Sequence, residues 1–161
     1  MRFSEDQLFE DQLPPGPLTD MYRYWRSKCR DKTLPSRMDI HPPEMKDFLP
    51  HTMLIDVVSE SPGERRFRMR LVGTHIVDGF GQEVTGKFMD EIDTGGQTES
   101  LLEACRRNVE EKAPVYLTGI ISRHGTGEKI SFERLGAPLS SDGHEVDMLL
   151  VASILKPLPR N

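Results

Sequence analysis

The alternation of apolar and charged side chains is sharpest in residues 66–72. Apolar residues occupy every second position there, and arginines fill the positions between them: Phe67, Met69 and Leu71 against Arg66, Arg68 and Arg70. Because successive side chains of a β-strand point to opposite faces, this pattern predicts a strand with one buried face. Turn residues at 61–64 separate it from an apolar, β-branched run at 52–58, so the two segments predict a β-hairpin.

Three further strands are predicted in the C-terminal part of the chain, at residues 115–122, 129–137 and 146–155. The connections between them are tight turns, which do not allow the crossovers that parallel strands require. The hairpin and these three strands are therefore expected to form one antiparallel sheet. The last strand is the most apolar of the five, and we expect it in the centre of the sheet.

Apolar residues spaced three and four positions apart predict helices around these strands. The first helix places Met21, Tyr22, Trp25 and Cys29 along one face. Residues 98–111 give the clearest helix, whereas glycines break residues 73–97 into short helical turns, including 74–80 and 88–92. This element order predicts an α+β fold, with the middle helices covering one face of the sheet.

The chain divides into three predicted parts. Residues 1–17 are acidic and end in Leu-Pro-Pro-Gly-Pro, which is typical of a flexible arm. Residues 18–33 are the N-terminal amphipathic helix, and residues 34–161 form the main domain. No repeat or second domain is predicted.

The composition of the chain indicates which partners and which cellular compartment to expect. The 161 residues carry a net charge of −5, and the basic residues do not gather into one stripe, so we expect no nucleic-acid partner. No apolar run approaches the roughly 20 residues of a membrane span, and acids stand where a signal peptide has its apolar core. We therefore expect a cytoplasmic protein without a membrane partner. Cys29 and Cys105 are expected to be reduced thiols, although one disulfide is possible in principle.

Five short segments resemble one protein family in order along the chain. They are YW at 24–25, LPSRMDI at 34–40, FRMRLVGT at 67–74, VTGK at 84–87 and ERLGAPLS at 133–140. Together they cover roughly residues 20–156, and they resemble the PAS-like domains of stand-alone alphaproteobacterial proteins. The resemblance implies a PAS-like five-stranded antiparallel sheet, with helices on one face enclosing a pocket and an additional N-terminal helix. It also implies a role in sensing or interaction, with no output domain of its own.

The resemblance places any ligand between the sheet and the helices of residues 73–111. His75 lies near where the pockets of PAS-like domains begin, so it could donate a hydrogen bond to a ligand or coordinate a haem. An ordinary, partly exposed histidine is the simpler interpretation. The other residues expected to line the interior are Met69, Leu71, Phe80, Phe88, Leu102, Cys105, Tyr116 and Phe132. Close packing of these side chains without a ligand is an equally good interpretation, and the sequence supports no haem or flavin motif.

A partner or dimer surface is expected on the N-terminal helix and on the arginine face of the hairpin. The helix residues are Tyr22, Trp25 and Cys29, because an isolated apolar face must fold onto its own sheet or pair across a two-fold axis. Arg68 and Arg70 either bind a partner or pack under that helix and pair with Glu133, Glu145 or Asp147.

The sequence is compatible with three alternative functions. The first is a ligand-binding sensory module that acts through a protein partner or as a homodimer. The second is a ligand-free interaction adaptor. The third is a small enzyme with an acid–base pair such as His75 with Glu133. We expect no enzyme, because the chain has no nucleophile elbow, phosphate loop, dinucleotide motif or metal-ligand spacing.

Overall fold

The computed structural model describes residues 3–31 and 33–159. Its helices are α1 (Phe3–Asp11), α2 (Pro17–Lys28), α3 (Thr74–Phe80) and α4 (Thr98–Glu111). Its strands are β1 (Thr52–Ser61), β2 (Glu64–Val72), β3 (Val115–Ser122), β4 (Lys129–Leu139) and β5 (Met148–Pro157). Short 3-10 turns lie at Arg37–Asp39, Pro42–Met45, Leu49–His51 and Met89–Glu91. None of the helices in the described ranges is long and apolar enough to cross a membrane.

The five strands form one antiparallel sheet in the order β2-β1-β5-β4-β3. The predicted α+β fold is therefore confirmed, and so is the central position of the last strand. Leu149, Leu150, Val151 and Ala152 of β5 are all fully buried. A strand with both faces buried reads as a continuous apolar run, which is why β5 lacks the alternation of β2.

The first face of the sheet packs against α3, α4 and the segment between them. α4 contributes Leu101, Cys105 and Val109, at helical spacing, to a core that also contains Phe67 and Met69 of β2. α3 ends at Phe80 because Gly81 follows with φ 73° in the left-handed region, which glycine adopts without strain. This layer encloses the interior of the domain on that face of the sheet.

The second face of the sheet is covered by α2, which packs on β4 and β5 in the same chain. Tyr22 is 2% exposed and Trp25 is 4% exposed, and the Trp25 indole N–H donates to the Pro138 carbonyl at 2.9 Å. The sequence left open whether this helix folds onto its own sheet or pairs across a two-fold axis, and the structure has the first arrangement, so the buried side chains of Tyr22 and Trp25 are not available as a partner surface. Cys29 is partly buried at the C-terminal end of α2, and neither it nor Cys105 forms a disulfide.

The N-terminal segment differs from the flexible arm expected from its acidic composition. Residues 3–11 form α1, and the ring of Phe9 lies against Tyr22 with 5.2 Å between ring centroids. Arg23 Nε donates to a Glu10 carboxylate oxygen at 2.9 Å. Residues 1 and 2 of the expected arm and residue 32 of the expected helix lie outside the described residues. α2 itself ends at Lys28, before the predicted limit of 33.

A β-bulge interrupts the hairpin near the end of β2. Leu54 pairs with Leu71 but Ile55 pairs with Met69, so Arg70 is the additional residue on β2. An additional residue reverses the faces of the side chains that follow it. Leu71 is consequently 40% exposed on the second face instead of lining the interior with Met69. The expectation for Leu71 was wrong for this reason.

Candidate functional site

An enclosed cavity lies between the first face of the sheet and the helical layer. Its volume is about 20 Å³, which is room for about one water molecule. The lining is almost entirely apolar, with one buried charge. The residues that form it are Met53, Met69, Ile76, Phe80, Met89, Ile92, Thr94, Leu101, Ile121, Phe132, Arg134, Ser153 and Leu155.

Three methionines from three separate segments form much of the lining. Met53 comes from β1, Met69 from β2 and Met89 from the 3-10 turn before α4. Each is at most 4% exposed. A methionine side chain has three rotatable bonds and a polarisable sulfur, so it repacks around an added group more easily than a branched side chain.

The Arg134 side chain is the buried charge in this lining. It is 2% exposed and shares its strand face with Phe132. Its Nη2 donates to Cys105 Sγ at 3.2 Å, while Nε and Nη1 have no hydrogen-bond partner. Among the residues described, no carboxylate forms an ion pair with Arg134.

Cys105 does not neutralise that charge. Its thiol is buried, and this burial raises the pKa of Cys105 more than the nearby Arg134 lowers it. The thiol is therefore the protonated form at neutral pH, and it offers Arg134 a weak, uncharged acceptor. Cys105 contacts two residues of the cavity lining, Arg134 and Met89, but does not itself line the cavity.

Asn108 and Gly136 lie beside the guanidinium. The Asn108 amide donates to the carbonyl oxygens of Gly136 and Ala113, whereas its Oδ1 has no hydrogen-bond partner. A Cβ atom on Gly136 would lie 2.6 Å from Asn108 Oδ1 and 3.1 Å from Arg134 Nη1. Glycine at this position therefore leaves space between an unpaired acceptor and an unpaired donor.

The structure brings only part of the predicted ligand set together. Met69, Phe80 and Phe132 line the cavity, and Leu102 packs against the same core without lining it. Phe88 lies instead under Arg66, whose guanidinium carbon is 3.7 Å from the ring centroid. Tyr116 faces the second side of the sheet.

Tyr116 and Glu133 form a hydrogen-bonded pair on that second side, where the Tyr116 hydroxyl donates to Glu133 Oε2 at 2.9 Å. Burial and the adjacent Glu133 carboxylate raise the pKa of Tyr116 to about 12. The predicted acid–base pair of His75 with Glu133 is not assembled, because neither residue lines the cavity and each is bound to other groups.

His75 lies at the edge of β5 beyond the end of the β1 ladder, whose last pair is Thr52 with Ala152. The Leu155 backbone N–H donates to His75 Nε2 at 3.1 Å, and His51 Nδ1 lies 3.2 Å from the Ser153 carbonyl oxygen. The two imidazoles thus continue the hydrogen bonding of β5 where strand pairing stops. Burial, and after it the neighbouring His51, lower the pKa of His75, which keeps Nε2 free to accept this bond.

The arginines of β2 have different partners from those expected. Arg68 and Arg70 both pair with Asp56 on β1, at 3.1 and 3.5 Å. Arg66 pairs with Asp90, Glu60 and Glu91. In the described part of the chain none of the expected carboxylates, Glu133, Glu145 and Asp147, pairs with these arginines. Glu133 and Asp147 are bonded to Tyr116 and Ser141 instead, and β1 and β5 separate β4 from β2. The role of Arg68 and Arg70 as a partner surface stays a prediction.

Sequence reasoning missed Arg134, the one charged residue of the lining. Along β4, Phe132, Arg134 and Gly136 alternate with Glu133, Leu135 and Ala137, so the sequence indicates that Arg134 and Glu133 lie on opposite faces. The apolar residues of this strand fall on both faces, so the sequence alone does not tell which charged residue is interior. The register with β3 and β5 decides that.

An open apolar groove lies on the second side, next to the bulge in β2. It has a volume of about 410 Å³, and Leu71 contributes to one wall. The remaining lining includes Ile40, Pro42, Met45, Leu49, Pro50, Leu54 and Val72. In the described part of the chain no cluster of His, Cys, Asp and Glu side chains has the geometry to hold a metal ion.

A family model described as "PAS domain" matches residues 15–153 of the chain. Among solved structures, a LOV protein from Rhodobacter sphaeroides matches with a TM-score of 0.50 and 13% identity, over 68% of this chain and 60% of that one. The PAS domain of BvgS from Bordetella pertussis gives a TM-score of 0.49 and 16% identity, over 70% and 79%. These similarities concern the fold. No curated protein matches the chain.

Proposed function

Because the chain belongs to the PAS domain family, we propose that it is a sensory or regulatory module that binds a small ligand in its interior and signals to a protein partner. The observation that carries the proposal is the enclosed cavity between sheet and helices, with three adaptable methionines and one buried charge in its lining. That the chain belongs to a narrower alphaproteobacterial group of stand-alone proteins is part of the same proposal.

The small volume of the cavity has a direct consequence for sensing. A site of about 20 Å³ accepts a ligand only if the lining side chains move. Ligand binding is then coupled to a rearrangement of the helical layer, and such a coupling is what a sensor requires. Met53, Met69 and Met89 are the side chains we expect to move first.

The methyl groups of the lining methionines can serve as NMR probes of ligand binding. We would label the Met methyl groups with carbon-13 in the full chain and titrate a set of small neutral and charged compounds by NMR. Binding in the interior is expected to shift the methyl signals of Met53, Met69 and Met89. Met21 and Met45 of the second core and Met38, which is 84% exposed, serve as internal controls.

A ligand-free adaptor is the second candidate, and the nearly filled interior favours it. In that case no compound shifts the three interior methyls, and native mass spectrometry of freshly purified protein gives the mass of the chain alone. The partner would then use an outer surface, for which the groove beside Leu71 is one choice. A retained small molecule would argue against the adaptor.

A homodimer is part of the proposal as well, although its surface is not the apolar face of α2. Exposed apolar side chains at the two sheet edges, Leu71 on β2 and Ile120 on β3, are better choices. Light scattering on the full chain across a range of concentrations tests this, and a monomer throughout would rule the dimer out. We propose no catalytic step, since His75 and Glu133 do not share a site.

A further inference from the structure

We propose that the interior ligand carries a small anionic group, a carboxylate, that pairs with Arg134, on an apolar body that lies among the lining methionines. The inference rests on the proposed sensory function and specifies the class of ligand for that site. The feature behind it is a guanidinium that is buried inside the chain without a counter-charge.

A guanidinium keeps its positive charge in proteins, and moving it out of water without a partner is costly. Buried charges are therefore normally paired, and buried donors normally have acceptors. The Arg134 guanidinium is 2% exposed, and its Nε and Nη1 have neither a counter-charge nor a hydrogen-bond acceptor. A carboxylate is the group that matches its planar set of N–H donors.

The neighbouring polar groups do not neutralise this charge. Asn108 Oδ1, the acceptor nearest to Nη1 across Gly136, is an uncharged amide oxygen and forms no hydrogen bond with it. Thr94 Oγ1 is bonded to Thr98 and to the Gln97 backbone N–H, and Ser153 donates to the Glu133 carbonyl. The carboxylate of Glu133 points to the opposite face of the sheet. Among the lining residues, Arg134 alone has unused hydrogen-bonding atoms.

The rest of the lining determines the remainder of the ligand. Phe132, Leu101 and the three methionines form an apolar surface, so the part of the ligand beyond its carboxylate is expected to be apolar and compact. A fully polar anion would leave this surface without a partner. An inorganic ion alone would fit the charge but not the lining.

The test compares acids with amides of the same shape. Acetate, butanoate, hexanoate and benzoate are titrated into the methyl-labelled full chain in chloride-free buffer, alongside the corresponding amides. We expect at least one of the larger acids to shift the methyl signals of Met53, Met69 and Met89 and to bind about tenfold or more tightly than its amide. The chloride ion is titrated separately.

Arg134→Met supplies the matched variant, because it keeps the length of the side chain and removes the charge. We expect its affinity for the acid to fall to that of the amide, and its melting temperature to equal or exceed that of the unmodified chain. Arg107→Met, on the exposed side of α4, is the control and should leave acid binding unchanged. Arg134→Lys keeps a charge and covers the case in which the Met variant does not fold.

Each remaining result is decisive. If an amide binds as tightly as its acid, the anionic inference is wrong while the proposed ligand-binding function stands. If chloride alone gives the same shifts, the apolar body is wrong. If none of the acids or amides shifts the interior methyls, the anionic inference fails, and the ligand-binding function fails with it only if the broader set of compounds also leaves those methyls unshifted.

Discussion

Replacement of Trp25 tests whether α2 is an integral part of the domain. Trp25 is 4% exposed because it packs on the sheet of the same chain, and its indole N–H donates to the Pro138 carbonyl at 2.9 Å. β3 begins opposite Gly136, so the Pro138 carbonyl that Trp25 satisfies lies just beyond the end of the β3–β4 ladder. Trp25→Ala removes both the packing and the hydrogen bond.

The expected loss follows from these two contributions. Truncation of a buried aromatic side chain to alanine costs about 3–5 kcal/mol, and an unsatisfied buried carbonyl adds about 1–3 kcal/mol where water cannot replace the donor. We therefore expect Trp25→Ala to lower the free energy of unfolding by about 4 kcal/mol or more, and the melting temperature by roughly 8–16 °C. Trp25→Phe keeps most of the packing and is expected to cost about 1–2 kcal/mol.

The measurement is urea unfolding of the full chain followed by circular dichroism, with light scattering of the same samples. Ser27→Ala, on the exposed side of α2, is the control and should stay within about 0.5 kcal/mol of the unmodified chain. If Trp25→Ala leaves the stability unchanged and instead turns a dimer into a monomer, then Trp25 lies at an interface between chains and our account of the second core is refuted.

Three further predictions concern single side chains. The free energy of unfolding should decline as the pH falls below about 6.5, because His75 takes up a proton there in the unfolded chain, whereas its lowered pKa keeps it neutral in the folded chain. The urea midpoint should therefore fall less steeply between pH 7.5 and pH 5 in His75→Gln than in the unmodified chain. Met69→Ser should cost about 2–4 kcal/mol in urea unfolding and Leu71→Ser under about 1 kcal/mol, and equal losses would contradict the bulge. Tyr116 should titrate at about 12 by ultraviolet absorbance, and Glu133→Gln should move its pKa back toward 10; an unchanged value would separate Tyr116 from Glu133.

The sequence was a good guide wherever local spacing decides the structure. The bounds predicted for α3, α4 and β3 agree with the structure, because glycines, prolines and apolar periodicity mark those ends directly. The central position of β5 followed from its continuous apolar run. α1 escaped prediction because its sequence is acidic with few apolar residues, and its contacts with α2, Phe9 on Tyr22 and Glu10 with Arg23, are not visible in the local pattern.

The candidate site was less predictable, because it depends on how separate strands are aligned. Nothing in residues 66–72 indicates that Arg70 is bulged, yet this single residue moves Leu71 to the other face. In the sequence nothing distinguishes Arg134 from the adjacent charged residue Glu133, and only the register with β3 and β5 assigns Arg134 to the interior. A family resemblance located the cavity, but it did not identify the charge within it.

The central place of β5 also sets an order of events during synthesis. β1 pairs with β2 and with β5, and β4 pairs with β3 and with β5, so the two hairpins can form early but remain unconnected. The apolar face of α2 also stays unburied until β4 has been synthesised, since Trp25 and Pro138 are 113 residues apart in the chain. We therefore expect both cores to close late, when β5 enters the middle of the sheet. Until then the nascent chain exposes the apolar surfaces that a chaperone recognises.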